Sequence, residues 1–596
     1  MISPMKKVTL LALASDVDRT VSALRDAGVM HVTSSPAQSP SSPSTASEEL
    51  LQSLGKARRT LADFAPASSP DPEAASASPD ALASLVLRLA RQREEADATA
   101  ARLAREMEAQ APFGDFNPDT VRAFAERGIP VTLFRLPAKQ PFPADDGLHR
   151  LGTANGYVYG AAIGRALPDG VDGLEPCALP KRSLGALAAE RDAAVAESAA
   201  MASRLASAAR ELPRIDAASA VLEEQAAFQR VGESMAAHGP LVSLDGYCPA
   251  DRIDALQTAA RDDGWALWIR DPDADDAPPV SLRLPRWLRP IQLLFTGLGI
   301  LPGYREADVS AVFLLFFSLF FAMLVGDAGY GALMLLAVVA ARLKFRKASP
   351  QPFWLFGTFA VATVVWGALA GSWFAIDHKY LPRFMQGVPW IASVDARDDN
   401  VMWLCFLVGG IHLTIAHLWN AIVLAPSRKA LAQIGWIGVV WLMFHVAGML
   451  VVGKAMPACV PWIGGAGVVL IALFMTDPKD FKTEWINHPM LVLNLISCLV
   501  DVISYIRLFA VGMASAQIAM NFNQMAMGLP LPVWIKPLGV VLILVLGHGL
   551  NLILAALSIL VHAVRLNTLE FSNHKGLTWS GQPYAPFTKK EKAKEA

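Results

Sequence analysis

The residue that demands most of its surroundings is Arg507, set in Ser504-Tyr505-Ile506-Arg507-Leu508-Phe509-Ala510 with apolar sequence on both sides. An arginine near the centre of a membrane helix costs roughly 2.5–3.5 kcal/mol on insertion scales. It cannot shed its proton to escape that penalty. It therefore needs a carboxylate, a water-filled cavity, or both. Asp501 is a candidate partner in the same segment, but 100° per residue places it about 120° around the helix from Arg507.

A second arginine stands in Val561-His562-Ala563-Val564-Arg565-Leu566-Asn567. Asn551, Ser558 and Arg565 recur at a spacing of seven and read as one polar stripe on an apolar helix. On the first segment Asn521 falls within roughly 40° of the Arg507 face, with Gln517 nearby. Polar stripes in a membrane line a bundle interior or an aqueous path. Taken singly, the Asn and Gln side chains are equally served by hydrogen bonding between helices. Two arginines aligned with such stripes favour an ion path.

These residues sit in the last two of eight apolar segments, roughly 309–326, 328–343, 353–375, 401–424, 433–453, 462–475, 488–529 and 533–567. The first two are contiguous except for Gly326-Asp327-Ala328-Gly329-Tyr330-Gly331. Read as one helix they would run roughly 50 Å, well beyond a ~30 Å hydrocarbon core, so a reversal at the glycines is expected. Eight spans with a cytoplasmic N-terminal half put Arg342-Leu343-Lys344-Phe345-Arg346-Lys347, Arg428-Lys429, Lys479-Asp480-Phe481-Lys482 and the tail lysines Lys589, Lys590, Lys592 and Lys594 on the cytoplasmic side. That is the positive-inside pattern. The last two segments are too long to stand upright and are expected to be steeply tilted or to extend beyond the bilayer. Such a pair suits a surface that wraps a curved partner.

Residues 1–290 hold most of the charge and read as a separate soluble half. Val8–Leu13, Asp16–Ala27 and Val29–Val32 give strand, helix, strand, and Leu241–Tyr247, Asp251–Asp262 and Trp265–Ile269 repeat the pattern. The two pieces (1–35 and 240–275) are expected to complete one sheet. Between them, Leu82, Leu85, Leu89, Ala96, Leu103 and Met107, then Leu184, Leu187, Arg191, Ala194, Ser198, Met201, Leu205, Ala208 and Leu212, step at near-heptad spacing. They predict a long antiparallel helical hairpin over about 48–112 and 183–235, interrupted at Pro213; two amphipathic helices in an ordinary bundle remain the alternative. Val131–Leu136 and Tyr157–Ile163 predict strands of a distal α/β lobe over 115–180. The fold class is thus an α-helical polytopic membrane domain, 291–575, joined to an N-terminal dumbbell of two α/β lobes and a helical bridge, with a tail at 576–596. Ser34–Ser44 and Pro66–Pro79 are Ser/Pro-rich and read as flexible.

Composition agrees with this division: 53% hydrophobic and 18% charged residues with mean hydropathy +0.36 are too apolar for a soluble chain of 596 residues. A net charge of −1 gives no support to a nucleic-acid partner. Cys177, Cys248, Cys405, Cys459 and Cys498 have neither disulfide nor metal-site spacing. The first apolar run is too short for a signal peptide, and no glycine loop for nucleotide appears in the soluble half.

The motifs resemble the a subunit, called subunit I in prokaryotes, of V-type and A-type rotary ATPases. Phe316–Gly331 resembles that family's first membrane hairpin, Ser504–Leu508 its helix with the essential arginine, Val561–Phe571 its last helix, and Tyr584-Ala585-Pro586-Phe587 its tail motif. Leu244-Asp245-Gly246-Tyr247-Cys248-Pro249 is similar to a motif of its soluble domain. The resemblance implies a stator subunit, without an ATP site or cofactor, in the inner or plasma membrane of a prokaryote. Two half-channels would carry H⁺ or Na⁺ to the carboxylates of a rotating c-ring, with Arg507 facing them and Arg565 assisting. Implied partners are the c-ring proteolipids, the E/G peripheral-stalk subunits, the d/C-type central-stalk cap and the lipid membrane. Gln517, Asn521, His548, Asn551, Ser558, Glu570 and Asp501 are the candidates for half-channel lining. The chain departs from the family at Ala555, where a glutamate is common, and at Ser515, a histidine in eukaryotic members. A secondary transporter or channel with a cytoplasmic regulatory domain is the alternative; it calls for repeat symmetry, and no convincing repeat relates the halves.

Overall fold

A computed structural model describes residues 2–33, 45–67, 69–143, 145–167, 173–392, 397–479 and 481–589. The Ser34–Ser44 run and Lys590, Lys592 and Lys594 lie outside the described residues.

In the soluble half, the strand Met5–Leu13 buries Val8, Leu10 and Ala12 at alternate positions, as a half-covered strand must. It pairs antiparallel with Leu241–Pro249 on one side and Ala266–Arg270 on the other. His31–Val32 and Ala236–His238 extend the same sheet along Leu241–Pro249. The two strand–helix–strand pieces therefore share one sheet. Val21 and Leu24 from the helix Val17–Ala27 and Leu256 from Ile253–Asp263 join its core. Full burial of such side chains is worth about 1.5–3 kcal/mol each.

The helices Pro79–Gln110 and Leu184–Ala208 pack antiparallel, burying Leu82, Leu85, Leu89 and Leu103 against Leu187, Ala194 and Leu205. Ser78 and Ser183 cap their first turns. Far along the pair, Gln110 Nε2 donates to the Arg182 carbonyl at 3.1 Å. At the opposite end, Arg204 reaches Asp71 at 2.7 Å and Glu73 at 2.6 Å. The Arg204 guanidinium holds the Asp71 carboxyl below the usual carboxylate range. Asp71 also caps a turn of helix, Pro72–Ser76, accepting from the amides of Glu73 and Ala74. Within the Pro66–Pro79 stretch Asp71 thus holds the turn that follows it, supplying both a cap and an ion pair. Pro213 does not end the return path. After a 3₁₀ turn it occupies the first turn of Leu212–Glu233, where its missing amide hydrogen costs nothing.

The distal lobe holds a four-stranded antiparallel sheet in the order Leu148–Ala154, Tyr157–Ile163, Val131–Pro137, Glu175–Cys177. Its two edge strands bury little, which is why periodicity does not mark them.

The apolar half is a helical assembly. By length and composition five helices suffice to cross a membrane: Gln351–Ala370, Asp398–Leu424, Lys429–Val452, Asn487–Met527 and Lys536–Lys575. Ser310–Val325 and Ala328–Lys344 qualify as a pair bent by 120°, and Val460–Phe474 is a shorter apolar helix. The bend follows from Gly326 at φ +69° and from Asp327, which caps Ala328–Lys344 through the amides of Gly329 and Tyr330. Gly367 lies against the backbone of Ala328, where any Cβ would collide.

The last helix runs to Lys575, beyond the boundary near 567 expected from hydropathy. It continues through Asn567–Glu570 in two π-helical segments, Ile559–Ala563 and Leu566–Phe571, which bury Asn567 and Glu570. Past Gly576 the chain returns to the soluble half. Val280 N donates to Gln582 O at 2.7 Å, Tyr584 N donates to Val280 O at 3.0 Å, Phe587 N donates to Met30 O at 2.9 Å, and Tyr584 Oη donates to Val29 O at 2.6 Å. Phe587 packs on the first sheet's core, and Lys589 pairs with Asp26 at 2.8 Å.

Candidate ion-translocation site

Two very long helices carry the arginines. Asn487–Met527 spans 41 residues with a break at Tyr505, and Lys536–Lys575 spans 40. At 1.5 Å per residue each is roughly 60 Å long, about twice the hydrocarbon core. Between them Arg507 Nη1 lies 3.2 Å from Glu570 Oε1, and Arg565 Nε lies 3.4 Å from the same oxygen. Arg507 Nη2 also donates to Ser504 Oγ at 3.0 Å. Glu570 is 3% exposed, whereas the side chains of Arg507 and Arg565 are 24% and 53% exposed. The other Glu570 oxygen is buried without a hydrogen-bond partner among the described residues. In an α-helix Arg565 and Glu570 would lie about 140° apart. The i→i+5 bonding of the Leu566–Phe571 segment closes that angle, a use of π-helix seen at functional sites.

A cavity of ≈ 930 Å³ lies beside this helix pair. Leu508, Gln517, Asn523, His548, Phe374 and Tyr380 are among the residues that line it, so it extends from the 375–380 loop to the neighbour of Arg507. A polar network stands behind one wall, reaching it at His548 and Asn523. His548 lies 2.5 Å from Tyr330 Oη and 3.1 Å from Asn523 Oδ1, while Asn551 donates to Tyr330 Oη and to the Ser515 carbonyl. Ser515 Oγ in turn donates to Asn551 at 3.0 Å. Asp327 accepts from Ser372 Oγ and from the amides of Phe374 and Ala375, which fixes the loop over the cavity.

The chain that builds this arrangement has relatives in sequence. The chain is 32% identical to the V-type ATP synthase subunit I 1 of Treponema pallidum (strain Nichols), over 98% of its own length and the whole of that relative. The chain belongs to the subunit I family of V-type and A-type ATP synthases. The V-type ATP synthase subunit I of Borreliella burgdorferi is 32% identical over 59% of this chain and 60% of its own length. The A-type ATP synthase subunit I of Archaeoglobus fulgidus is 27% identical over 58% of each. No family model matches.

In this subunit I the residues marked from sequence fall into separate places. Arg507, Arg565 and Glu570 meet. Gln517 and His548 line the cavity, and Asn551 is buried in the network behind it. Asn521 is exposed outside the cavity, and Asn523, two residues on, takes the polar position instead. No hydrogen bond joins Ser558 to another marked residue among the described residues, and the π-helical segments that follow it shift Arg565 out of the sevenfold register of Asn551 and Ser558. Asp501 does not pair with Arg507; its carboxylate lies 3.1 Å from His574 Nε2. Ala555 is buried in apolar surroundings. Sequence reading missed Tyr330, Asn523, His417 and His574. The signal available for His417 was the rarity of imidazole in an apolar helix; His574, in the polar run Ser572–Lys575, carried no such signal.

Proposed function

We propose that this subunit I is the membrane-embedded stator of a rotary ATP synthase or ATP-driven pump. In this reading it crosses the membrane eight times, with Ser310–Val325, Ala328–Lys344 and Val460–Phe474 each counted as a span and both ends of the chain cytoplasmic. Its long helix pair faces a c-ring. Arg507 meets each ring carboxylate in turn and favours its ionised form, since an adjacent cation lowers a carboxylate pKa by about 1–3 units. The cavity lined by Gln517, Asn523 and His548 serves as the half-channel from the outer side. Arg565 and Glu570 set the charge around Arg507. The soluble half, 1–290, binds the E/G peripheral-stalk subunits and approaches the d/C-type cap, while ATP is handled by other subunits.

One observation carries the reading. Arg507 is held by Glu570 and Ser504 yet keeps about a quarter of its side chain open, so it is anchored without being sealed. Vesicles bearing the assembled complex test this: Arg507→Ala should abolish ATP-driven ion uptake with the complex intact. Full uptake by an assembled Arg507→Ala complex would end the proposal.

A further inference from the structure

A polar series next to the arginine cluster takes no part in it. Asp501 Oδ2 lies 3.1 Å from His574 Nε2, His574 Nδ1 lies 2.8 Å from His417 Nε2, and His417 Nδ1 lies 2.8 Å from Gln433 Oε1. His417 is 4% exposed and stacks on Trp436 with an interplanar angle of 8°, which fixes its ring plane. His574 is held by its own carbonyl, which accepts from Asn420 Nδ2 at 3.0 Å. The neighbouring charge, Lys575, turns away onto Asn420 Oδ1 at 2.7 Å. Gln433 sits one turn inside Lys429–Val452, directly after the basic Arg428-Lys429 loop. At the other end Asp501 is three residues from Ser504, which holds Arg507, and His574 is one turn past Glu570.

Each imidazole is engaged at both nitrogens, so the direction of every hydrogen bond is tied to the next. With both imidazoles neutral, two arrangements satisfy all the contacts. In the first, the Gln433 amide NH₂ donates to His417 Nδ1, His417 Nε2–H to His574 Nδ1, and His574 Nε2–H to the Asp501 carboxylate. In the second, protonated Asp501 donates to His574 Nε2, His574 Nδ1–H to His417 Nε2, and His417 Nδ1–H to the Gln433 oxygen. They differ by one proton and by the turn of the Gln433 amide, whose oxygen and nitrogen can exchange places. A proton arriving at His417 Nδ1 converts the first into the second. The His417 Nε2 proton passes to His574 Nδ1, and the His574 Nε2 proton passes to Asp501.

We propose that His417, His574 and Asp501 form a proton relay between the cytoplasmic face and the Arg507 site, and that the ion translocated is H⁺. This rests on the ion-translocation reading of Arg507. Ring nitrogens hand on protons readily, whereas a hard cation such as Na⁺ takes oxygen ligands, and the middle of the series has none.

The experiment uses vesicles containing the whole complex, energised with ATP, and reads proton uptake by a quenched acridine dye and sodium uptake by radioactive Na⁺. Wild type should acidify without sodium and accumulate none. His417→Gln and His574→Gln keep a hydrogen-bonding side chain but cannot relay; each should cut acidification at least about tenfold, in line with the loss of a positioned proton carrier. Added imidazole should restore part of it, which a merely structural histidine would not permit. Sodium uptake by wild type overturns the proposal while leaving the role of Arg507 standing. Full acidification by either assembled variant, or a loss that imidazole does not relieve, overturns it as well. Gln433→Leu, at the partly buried rim, is the variant to read if the histidine variants fail to assemble: unchanged acidification there refutes the relay. Arg507→Ala in the same vesicles reports separately on the underlying reading.

Discussion

Replacing Glu570 by Gln removes the carboxylate shared by Arg507 and Arg565, and the structure sets how much each pair should lose. At 3.2 Å and an effective dielectric of about 20, the Coulomb attraction between Arg507 and Glu570 is about 5 kcal/mol. Desolvation of the buried carboxylate takes back much of this, leaving about 1.5–3 kcal/mol for a charge-assisted hydrogen bond. The Arg565 pair has nearly the same distance, 3.4 Å, but its guanidinium side chain is 53% exposed, so screening reduces it to about 0–1 kcal/mol. Double-mutant cycles should therefore give a coupling near 2 kcal/mol for Arg507→Gln with Glu570→Gln, and below about 1 kcal/mol for Arg565→Gln with Glu570→Gln. Thermal unfolding of the purified subunit in lipid nanodiscs supplies the values, at roughly 1 °C per kcal/mol for a chain of 596 residues. A coupling under about 0.5 kcal/mol for the Arg507 pair, or a larger one for Arg565 than for Arg507, would refute the reasoning.

Three further outcomes follow from other parts of the molecule. Gly367→Ala drives a Cβ into the backbone of Ala328 and should cost about 3 kcal/mol or more, whereas Gly465→Ala, which meets nothing within 4 Å, should be neutral or slightly stabilising; equal thermal stability of the two variants would contradict the packing. Asp71→Ala removes a helix cap and an ion pair from the helical hairpin and should destabilise it by about 1–2 kcal/mol, read as increased hydrogen exchange at residues 72–76. Burial lowers the pKa of His31, whose Nδ1 lies 3.1 Å from the Ala585 amide. A histidine with a depressed folded value charges more readily in the undocked state, so tail docking is full above about pH 6.5 and weakens as pH falls from there. Exchange at residues 582–588, corrected for intrinsic rates, should quicken on acidification, and His31→Gln should remove that dependence.

Much of this was legible from residue order because the strongest constraints are local. Buried arginine must be compensated, so Arg507 and Arg565 announced themselves. Alternation in Val8–Leu13 and Leu241–Tyr247 marked strands that share one sheet, and glycines marked the reversal at 326–331. What escaped was set by departures from ideal periods. The π-helical segments shift the register of the last helix, so a sevenfold stripe placed Ser558 with Arg565 when Glu570 is the residue that arrives. Asn521 was favoured over Asn523 by helical angle alone, because the loop carbonyl of Phe374, which Asn523 reaches at 2.8 Å, lies on a different element. The His417–His574 contact joins residues 157 apart on separate helices, a relation no local pattern encodes.

The docking of the tail has a consequence for biogenesis. Residues 582–589 come after the long helix Lys536–Lys575 in the chain, yet they bond to Val29 and Met30 and lay Phe587 on the core of a sheet that begins at Met5. The ribosome therefore releases the first lobe long before the segment that finishes it. Until the last helix has inserted and Gly576 has turned the chain back, the carbonyls of Val29 and Met30 and the apolar seat of Phe587 stay open to chaperones and proteases.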